Sequence, residues 1–291
     1  MNEPSEAAER RYPVLKRERS EIGPDADKPL DDWLAIEEPM EIRLGFGPAE
    51  RRETRSLSIT MRTPGHDFEL AAGFLHTEAV IRSHDEIERI EFCGPAVAPR
   101  TASNIVRVEL SADVEVRLKS LERNFYTTSS CGICGKASLD AVEVEGIPPL
   151  PRVGVTLTHS TLPQLPERLR KSQPSFERTG GIHAAALVDA SGSLHAVRED
   201  VGRHNAVDKL IGYQLLQRDL PLHRFAMLVS GRASFEILQK ALVAGIPMIV
   251  AVGAPSSLAV DLANRFGMTL VGFTSAHRYN VYSGVERIVD R

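Results

Sequence analysis

"FAMLVSGRASFEILQKALVAGIPMIVAVGAPSSLAVDLANRFGMTLVGF", residues 225–273, decides the fold of this 291-residue chain. It contains three short apolar runs, "FAMLVS", "PMIVAV" and "MTLVGF", each too short for a helix and rich in strand-forming residues. Between them lie "SFEILQKALVAG" and "SSLAVDLANRFG", whose apolar residues recur at helical spacing. Connections of this length cannot be hairpins, so the three strands are parallel neighbours with helices covering the sheet. The second half of the chain therefore reads as α/β.

Upstream, "HNAVDKLIGYQLL" sets Val207, Leu210, Ile211 and Leu215 on one helical face, and "HAAALV", "DASG" and "LHAVRED" read as strand, turn and strand. A Pro-rich bridge over 146–173 holds a short helix candidate at 163–172, and the domain boundary falls inside it. In the first half, "AIEEPMEIRLGF" and "RSLSITM" read as strands. "DFELAAGFLHTEAVI", residues 67–81, switches to helical spacing with Leu70, Phe74 and Leu75 on one face. Strands follow at "IERIEF", "NIVRVEL" and "VEVRL". This half reads as a small α+β unit with a mostly antiparallel sheet. Pro4, Pro13, Pro24 and Pro29 among mixed charges make residues 1–30 a disordered extension. The expected organisation is thus 1–30, then 31–155, then 156–291.

With 42% hydrophobic and 25% charged residues, the chain has the composition of an ordinary globular protein. Its formal charge of -4 gives no electrostatic case for a nucleic-acid partner. No apolar run approaches the ~18 residues of a membrane span, and no signal segment is evident, so a cytoplasmic protein without membrane contact is expected.

Two loops at strand ends, "VSGRAS" and "VGAPSS", open helices. Glycine admits close backbone approach and a helix start favours an anion, so Ser230, Gly231, Arg232 and Ser234 are ligand candidates, with Gly253, Ser256 and Ser257 beside them. The same serines are equally suited to capping helices. "REDVGRHNAVDK" crowds Arg198, Glu199, Asp200, Arg203, His204 and Asp208 near another helix start, where they either position a ligand or form ion pairs. His183 follows "TGG", and "FTSAHRYNVYS" follows the last parallel strand.

The stretch "TTSSCGICGKASL", residues 127–139, holds Cys131 and Cys134, two of three cysteines. A structural zinc site needs four ligands, and no second pair announces itself beyond Cys93. Dithiol exchange of the thioredoxin kind needs this spacing at a helix start on a βαβ scaffold, whereas this stretch lies outside the parallel region. Two Gly-flanked thiols in a Ser/Thr-rich run do not resemble core packing. Sulfur carriage is a third option: a reachable thiolate takes sulfur from a persulfide donor and hands the outer sulfur on. Gly132 and Gly135 give such a thiol freedom, and Lys136 favours the thiolate.

Together "TTSSCGICGKASLDAV", "TGGIHAAAL", "REDVGRHNAVDKLIG", "LVSGRASFEILQKA", "GAPSSLAVDLA" and "GFTSAHRYNVYS" resemble the FdhD family, sulfurtransferase accessory proteins required for formate dehydrogenase activity. The resemblance runs from "DFELAAGFLHTEAVI" to the C-terminus. It implies a homodimer that takes sulfur from an IscS-type cysteine desulfurase and passes it to the molybdenum or tungsten of a bis(molybdopterin guanine dinucleotide) cofactor. That cofactor is bound as substrate, with no permanent metal, before insertion into formate dehydrogenase. On this resemblance Cys131 is the persulfide carrier, Cys134 its auxiliary, and Phe273, Thr274, Ser275, Ala276, His277 and Arg278 the cofactor-binding segment. It further implies that the larger domain resembles the cytidine deaminase fold. A zinc deaminase needs H-x-E and P-C-x-x-C. Here His204 is followed by Asn205 and Ala206, and no cysteine lies beyond residue 134, so deamination is disfavoured. A cofactor-binding chaperone without sulfur transfer is the other alternative.

Overall fold

The three apolar runs form strands β10 (Ala226–Val229), β11 (Met248–Ala251) and β12 (Thr269–Gly272). The computed structural model describes residues 14–20, 29–96, 103–114, 116, 150 and 154–290. β10 pairs parallel with β11, and β11 with β12, as two crossovers of this length require. The hairpin β8 (His183–Val188) and β9 (Leu194–Asp200) extends the sheet beside β10, and β13 (Asn280–Ser283) closes the far edge antiparallel to β12. The strand order is β13-β12-β11-β10-β8-β9.

Period-two alternation divides the apolar residues of this sheet between two faces. Ala185, Leu187, Met227, Val229, Ile249 and Leu270 pack under helices α4 (Arg203–Leu216), α5 (Phe235–Val243) and α6 (Ser257–Phe266). Ala186, Leu228, Met248, Val250 and Val271 face the other way, against Leu165 and Leu169 of helix α2 (Leu165–Lys171) and against Leu157 and Ile288. The short helix expected at 163–172 is α2, preceded by a 3-10 turn at Leu162–Gln164.

The first half builds a four-stranded sheet from β3 (Glu38–Phe46), β4 (Glu53–Arg62), β5 (Ile87–Phe92) and β6 (Ile105–Leu110), in the order β4-β3-β6-β5. Only β3 and β6 run parallel within it, so it is mostly antiparallel as read. Helix α1 (Asp67–Thr77) covers one face through Leu70, Ala71 and Leu75, which meet Met40, Ile42, Leu44 and Val108. Full burial of each leucine contributes roughly 1.5–3 kcal/mol. The helix stops at Thr77, short of the 67–81 span of the pattern. Ala79 takes φ 57° and the Val80 amide bonds back to the Leu75 carbonyl at 2.8 Å, which turns the chain.

Two expectations need correction. Part of the supposedly disordered 1–30 extension is a strand, β1 (Val14–Ser20), paired antiparallel with β2 (Pro29–Ala35) from Val14 opposite Ala35 to Ser20 opposite Pro29. Its alternating charges concealed a strand whose backbone is satisfied by a partner. Val114 and Val116 of the "VEVRL" candidate lie outside any strand.

The two halves meet where α1 crosses α4. A Cβ at Gly73 would overlap the Asp208 carbonyl oxygen, and one at Gly212 would overlap the Glu69 carbonyl oxygen. The helices approach backbone to backbone because neither position carries a side chain. Around this crossing the polar residues of "REDVGRHNAVDK" serve as ties. Asp208 accepts from Thr77 Oγ1 at 2.8 Å and from Lys240 Nζ of α5 at 3.0 Å. Burial opposes both charges and lifts the Asp208 carboxyl above its ordinary range; for Lys240 burial is outweighed by Asp208 and Glu78, which raise its pKa. Asp200 pairs with Lys209 at 2.7 Å and accepts the Thr63 amide at 3.1 Å, while Asn205 donates to the Met61 carbonyl at 2.8 Å. Arg198 holds Glu69 through two guanidinium nitrogens, Nε and Nη2, and Glu199 accepts the amides of Ser175 and Phe176.

Gly212→Ala is expected to lower stability by at least about 2 kcal/mol, since backbone must move to admit the methyl. Gly181→Ala, whose added Cβ meets nothing closer than 3.7 Å, is expected to stay within about 0.5 kcal/mol. Lys240→Met strands a buried carboxylate and is expected to cost about 3–5 kcal/mol. Urea unfolding of the three variants checks these values.

Candidate functional site at the carboxyl edge of the large sheet

Because β10, β11 and β12 are parallel, the loops after Val229, Ala251 and Gly272 emerge along one edge of the sheet. Open α/β sheets bind ligands at this edge. β8 runs antiparallel to β10, so it begins here at His183, and β9 ends here at Asp200 before α4 starts. The edge thus gathers residues 183, 203–204, 230–234, 252–257 and 273–280.

Backbone bonds lace the three loops together. The Gly253 amide donates to the Gly231 carbonyl at 3.0 Å, and the Phe273 amide to the Gly253 carbonyl at 3.0 Å. Ala233 and Pro255 form a further parallel bridge. A Cβ at Gly253 would sit 2.9 Å from the Gly231 carbonyl oxygen and 3.0 Å from the Arg232 nitrogen, so glycine is required for this approach. Phe273 adopts φ 52°, a left-handed conformation costing a non-glycine residue roughly 1–2 kcal/mol. It leaves the residue 44% exposed. Thr274 turns inward; its Oγ1 is buried with no hydrogen-bond partner among the described residues. Ser275, Ala276, His277 and Arg278 are exposed in a turn closed by the Ser275 amide on the Arg278 carbonyl at 2.9 Å.

The serines divide between the two roles open to them. Ser256 caps α6, accepting the Ala259 amide at 3.3 Å. Ser230 Oγ accepts the Ala184 amide at 2.9 Å and ties β8 to the loop. Ser234 stands at the start of α5 without a capping bond and lies 3.4 Å from His204 Nε2. Arg232 is exposed, and Gly231 is half-buried.

Two juxtapositions escaped the sequence. His204, in the first turn of α4, reaches Glu236 of α5 at 3.5 Å. The hydrogen bond from His204 holds the Glu236 carboxyl down to about 2, against burial. His183 and Arg203 meet at Gly231, where an added Cβ would lie 3.4 Å from His183 Nδ1 and 4.0 Å from Arg203 Cδ. Burial, and then the charges of Arg203 and His204, push the His183 pKa below the ordinary histidine range. Residues 183, 203 and 231 are too far apart in sequence for spacing to reveal this contact; their shared position at strand and helix ends is the available signal.

Cys131 and Cys134 lie outside the described residues. Cys93 is a free thiol just beyond β5. Among the described residues no group of three or more His, Cys, Asp or Glu side chains could hold a metal ion. None of the described helices is long and apolar enough to cross a membrane.

Glu236 has a depressed folded pKa, so its contribution to stability is present above about 4.5, its unperturbed value, and is lost as pH falls toward about 2. His204→Ala is expected to raise the Glu236 pKa and flatten the dependence of stability on pH across that window. Carboxyl-detected NMR titration, together with urea unfolding at several acid pH values, checks the shift.

The FdhD/NarQ family model matches residues 35–289. A protein of Streptomyces coelicolor named sulfur carrier protein FdhD is 53% identical over 262 residues, covering 89% of this chain and 90% of its own. A protein of the same name from Nocardia farcinica is 46% identical, covering 94% and 95%. One from Sulfurisphaera tokodaii is 40% identical, covering 89% and 92%. Among solved structures, a crystal structure from Desulfotalea psychrophila, assigned as a formate dehydrogenase accessory protein, superposes with a TM-score of 0.73 at 27% identity. That match covers 95% of this chain and 100% of the other. The resemblance carried by the six motifs is thereby established, and the chain belongs to the FdhD/NarQ family.

Proposed function

We propose that this chain is a sulfur carrier serving formate dehydrogenase, and that the laced glycine edge beside Phe273 holds the nucleotide portion of the cofactor it serves. The observation that carries this reading is the Gly231–Gly253–Phe273 chain of backbone bonds. In a chain whose relatives are named sulfur carrier proteins, it presents an exposed aromatic ring beside two glycine loops. A ring suits a purine base, and glycine loops at helix starts suit pyrophosphate. The substrate is a bis(molybdopterin guanine dinucleotide) molybdenum or tungsten cofactor. Phe273–Arg278 contact it, supported by Ser230, Gly231 and Arg232.

Within this reading Cys131 takes sulfur as a persulfide from an IscS-type cysteine desulfurase and delivers it to the bound cofactor, with Cys134 auxiliary. The protein acts as a cytoplasmic homodimer. A strand hairpin, a helix and two parallel crossovers, in the order β9-β8-β10-β11-β12, support a deaminase-like origin for the larger sheet. His204 followed by Asn205 and Ala206 leaves that lineage's proton shuttle missing.

Three experiments test the proposal, two on the sulfur-carrying half and one on the cofactor-binding half. Intact-mass spectrometry after incubation with desulfurase and cysteine is expected to show one added sulfur, absent from Cys131→Ala. Cys131→Ala is also expected to fail to restore formate dehydrogenase activity in a deletion strain, with a smaller loss for Cys134→Ala. A chaperone without sulfur transfer would acquire no sulfur at all. Calorimetry with guanosine diphosphate is expected to show binding that weakens roughly tenfold in Phe273→Ala, the loss of one base-stacking contact. Undiminished binding would remove Phe273 from the site.

A further inference from the structure

His183 and Arg203 meet at the turn at Gly231, with His204 next to Arg203 in sequence and Arg232 on the turn itself. His204 is engaged by Glu236 at 3.5 Å. Arg203 differs: its Nε is buried and makes no hydrogen bond among the described residues, and its guanidinium joins no ion pair among them. The nearby carboxylate, Asp200, is committed to Lys209 at 2.7 Å, the Gly202 amide at 2.8 Å and Asn205 at 3.1 Å. Arg232 projects from the same turn into solvent. A buried guanidinium nitrogen without an acceptor costs free energy, which an incoming acceptor recovers.

The surroundings match an anion. Helix α4 starts at Arg203, and its first turn has neither an acidic residue of its own nor a side-chain cap, the Asp200 carboxylate meeting only the Gly202 amide and Asn205 there. Gly231 has no side chain to fill the space beside His183 Nδ1 and Arg203 Cδ. His183 is depressed by burial and by its cationic neighbours, so it stays neutral and offers a hydrogen-bond donor without adding a charge that would repel Arg203.

We infer that Arg203, His183 and the Gly231 turn form a subsite for a compact oxyanion of the phosphate class. This deepens the cofactor-binding reading, on which it rests for identifying the anion as part of a nucleotide. Arg203 supplies the planar donor set that grips phosphate oxygens, and His183 fixes their orientation.

The test is calorimetry on the full chain with inorganic pyrophosphate, guanosine and guanosine diphosphate as separate probes. Pyrophosphate is expected to bind the wild type. Its affinity is expected to fall at least tenfold in Arg203→Gln, less in Arg203→Lys, and not at all in the exposed control Lys171→Gln. Gly231→Val, which pushes methyls against the His183 ring, is expected to weaken pyrophosphate as Arg203→Gln does. It keeps the test decisive if Arg203→Gln does not fold by circular dichroism. Unchanged pyrophosphate affinity in folded Arg203→Gln or Gly231→Val, or no binding to the wild type, overturns the subsite. The two readings fail separately. Guanosine diphosphate bound equally by wild type and Arg203→Gln defeats the subsite alone. Pyrophosphate bound as inferred, with guanosine diphosphate no tighter than pyrophosphate, defeats the nucleotide reading and leaves the subsite standing.

Discussion

The approach of α1 to α4 at Gly73 and Gly212 is the contact on which the rest of the molecule depends. It makes α4 a wall shared by two cores. Ala206, Val207, Leu210 and Ile211 pack on the six-stranded sheet, while Leu215 joins the core beneath the four-stranded one. Such a helix cannot be amphipathic in the usual sense, and its polar residues must find partners inside the protein. Asn205, Asp208 and Lys209 do so with Met61, Thr77 and Asp200. The first turn of this helix presents Arg203 and His204 at the sheet edge, so the placement of the first unit fixes where those side chains stand.

Buried charge pairs seldom add net stability compared with apolar groups of the same shape, because desolvation consumes most of the attraction. Their contribution here is direction. An apolar contact between α4 and α5 would tolerate sliding by part of a turn. The Asp208–Lys240 pair, tied also to Thr77 and Glu78 of the first unit, permits one register. That register carries His204 of α4 to Ser234 and Glu236 of α5.

The crossovers of the large sheet, the hairpin and the helix starting in "RHNAVD" were legible because each follows from local periodicity and connection length. The gathering of the three loops along one edge was legible for the same reason, as parallel strands align their carboxyl ends. Asp200 and Asp208 were not legible as interior ties, since a charge-rich stretch at a helix start has the composition of a solvated surface; only the neighbouring helix shows that it is covered. The strand at Val14–Ser20 was hidden by charge in the same way. The meeting of His183, Arg203 and Gly231 depends on β8 running antiparallel to β10, a pairing choice that no local pattern specifies.

Phe273 shows how backbone and chemistry are joined at this edge. A phenylalanine with positive φ and an exposed ring gains neither packing nor relaxed geometry, and a glycine there would relieve the backbone. The conformation persists because bonds on both sides over-determine it: the Phe273 amide is held by Gly253 and the Thr274 amide by Ala251 at 3.1 Å. Strain kept this way is informative when it places a side chain where folding alone would not. Here it turns an aromatic residue outward beside Gly253 and Gly231, while burying Thr274 with its hydroxyl unpartnered among the described residues. Both features have a cost in free energy, and both fit the planar, hydrogen-bonding ligand proposed for this edge.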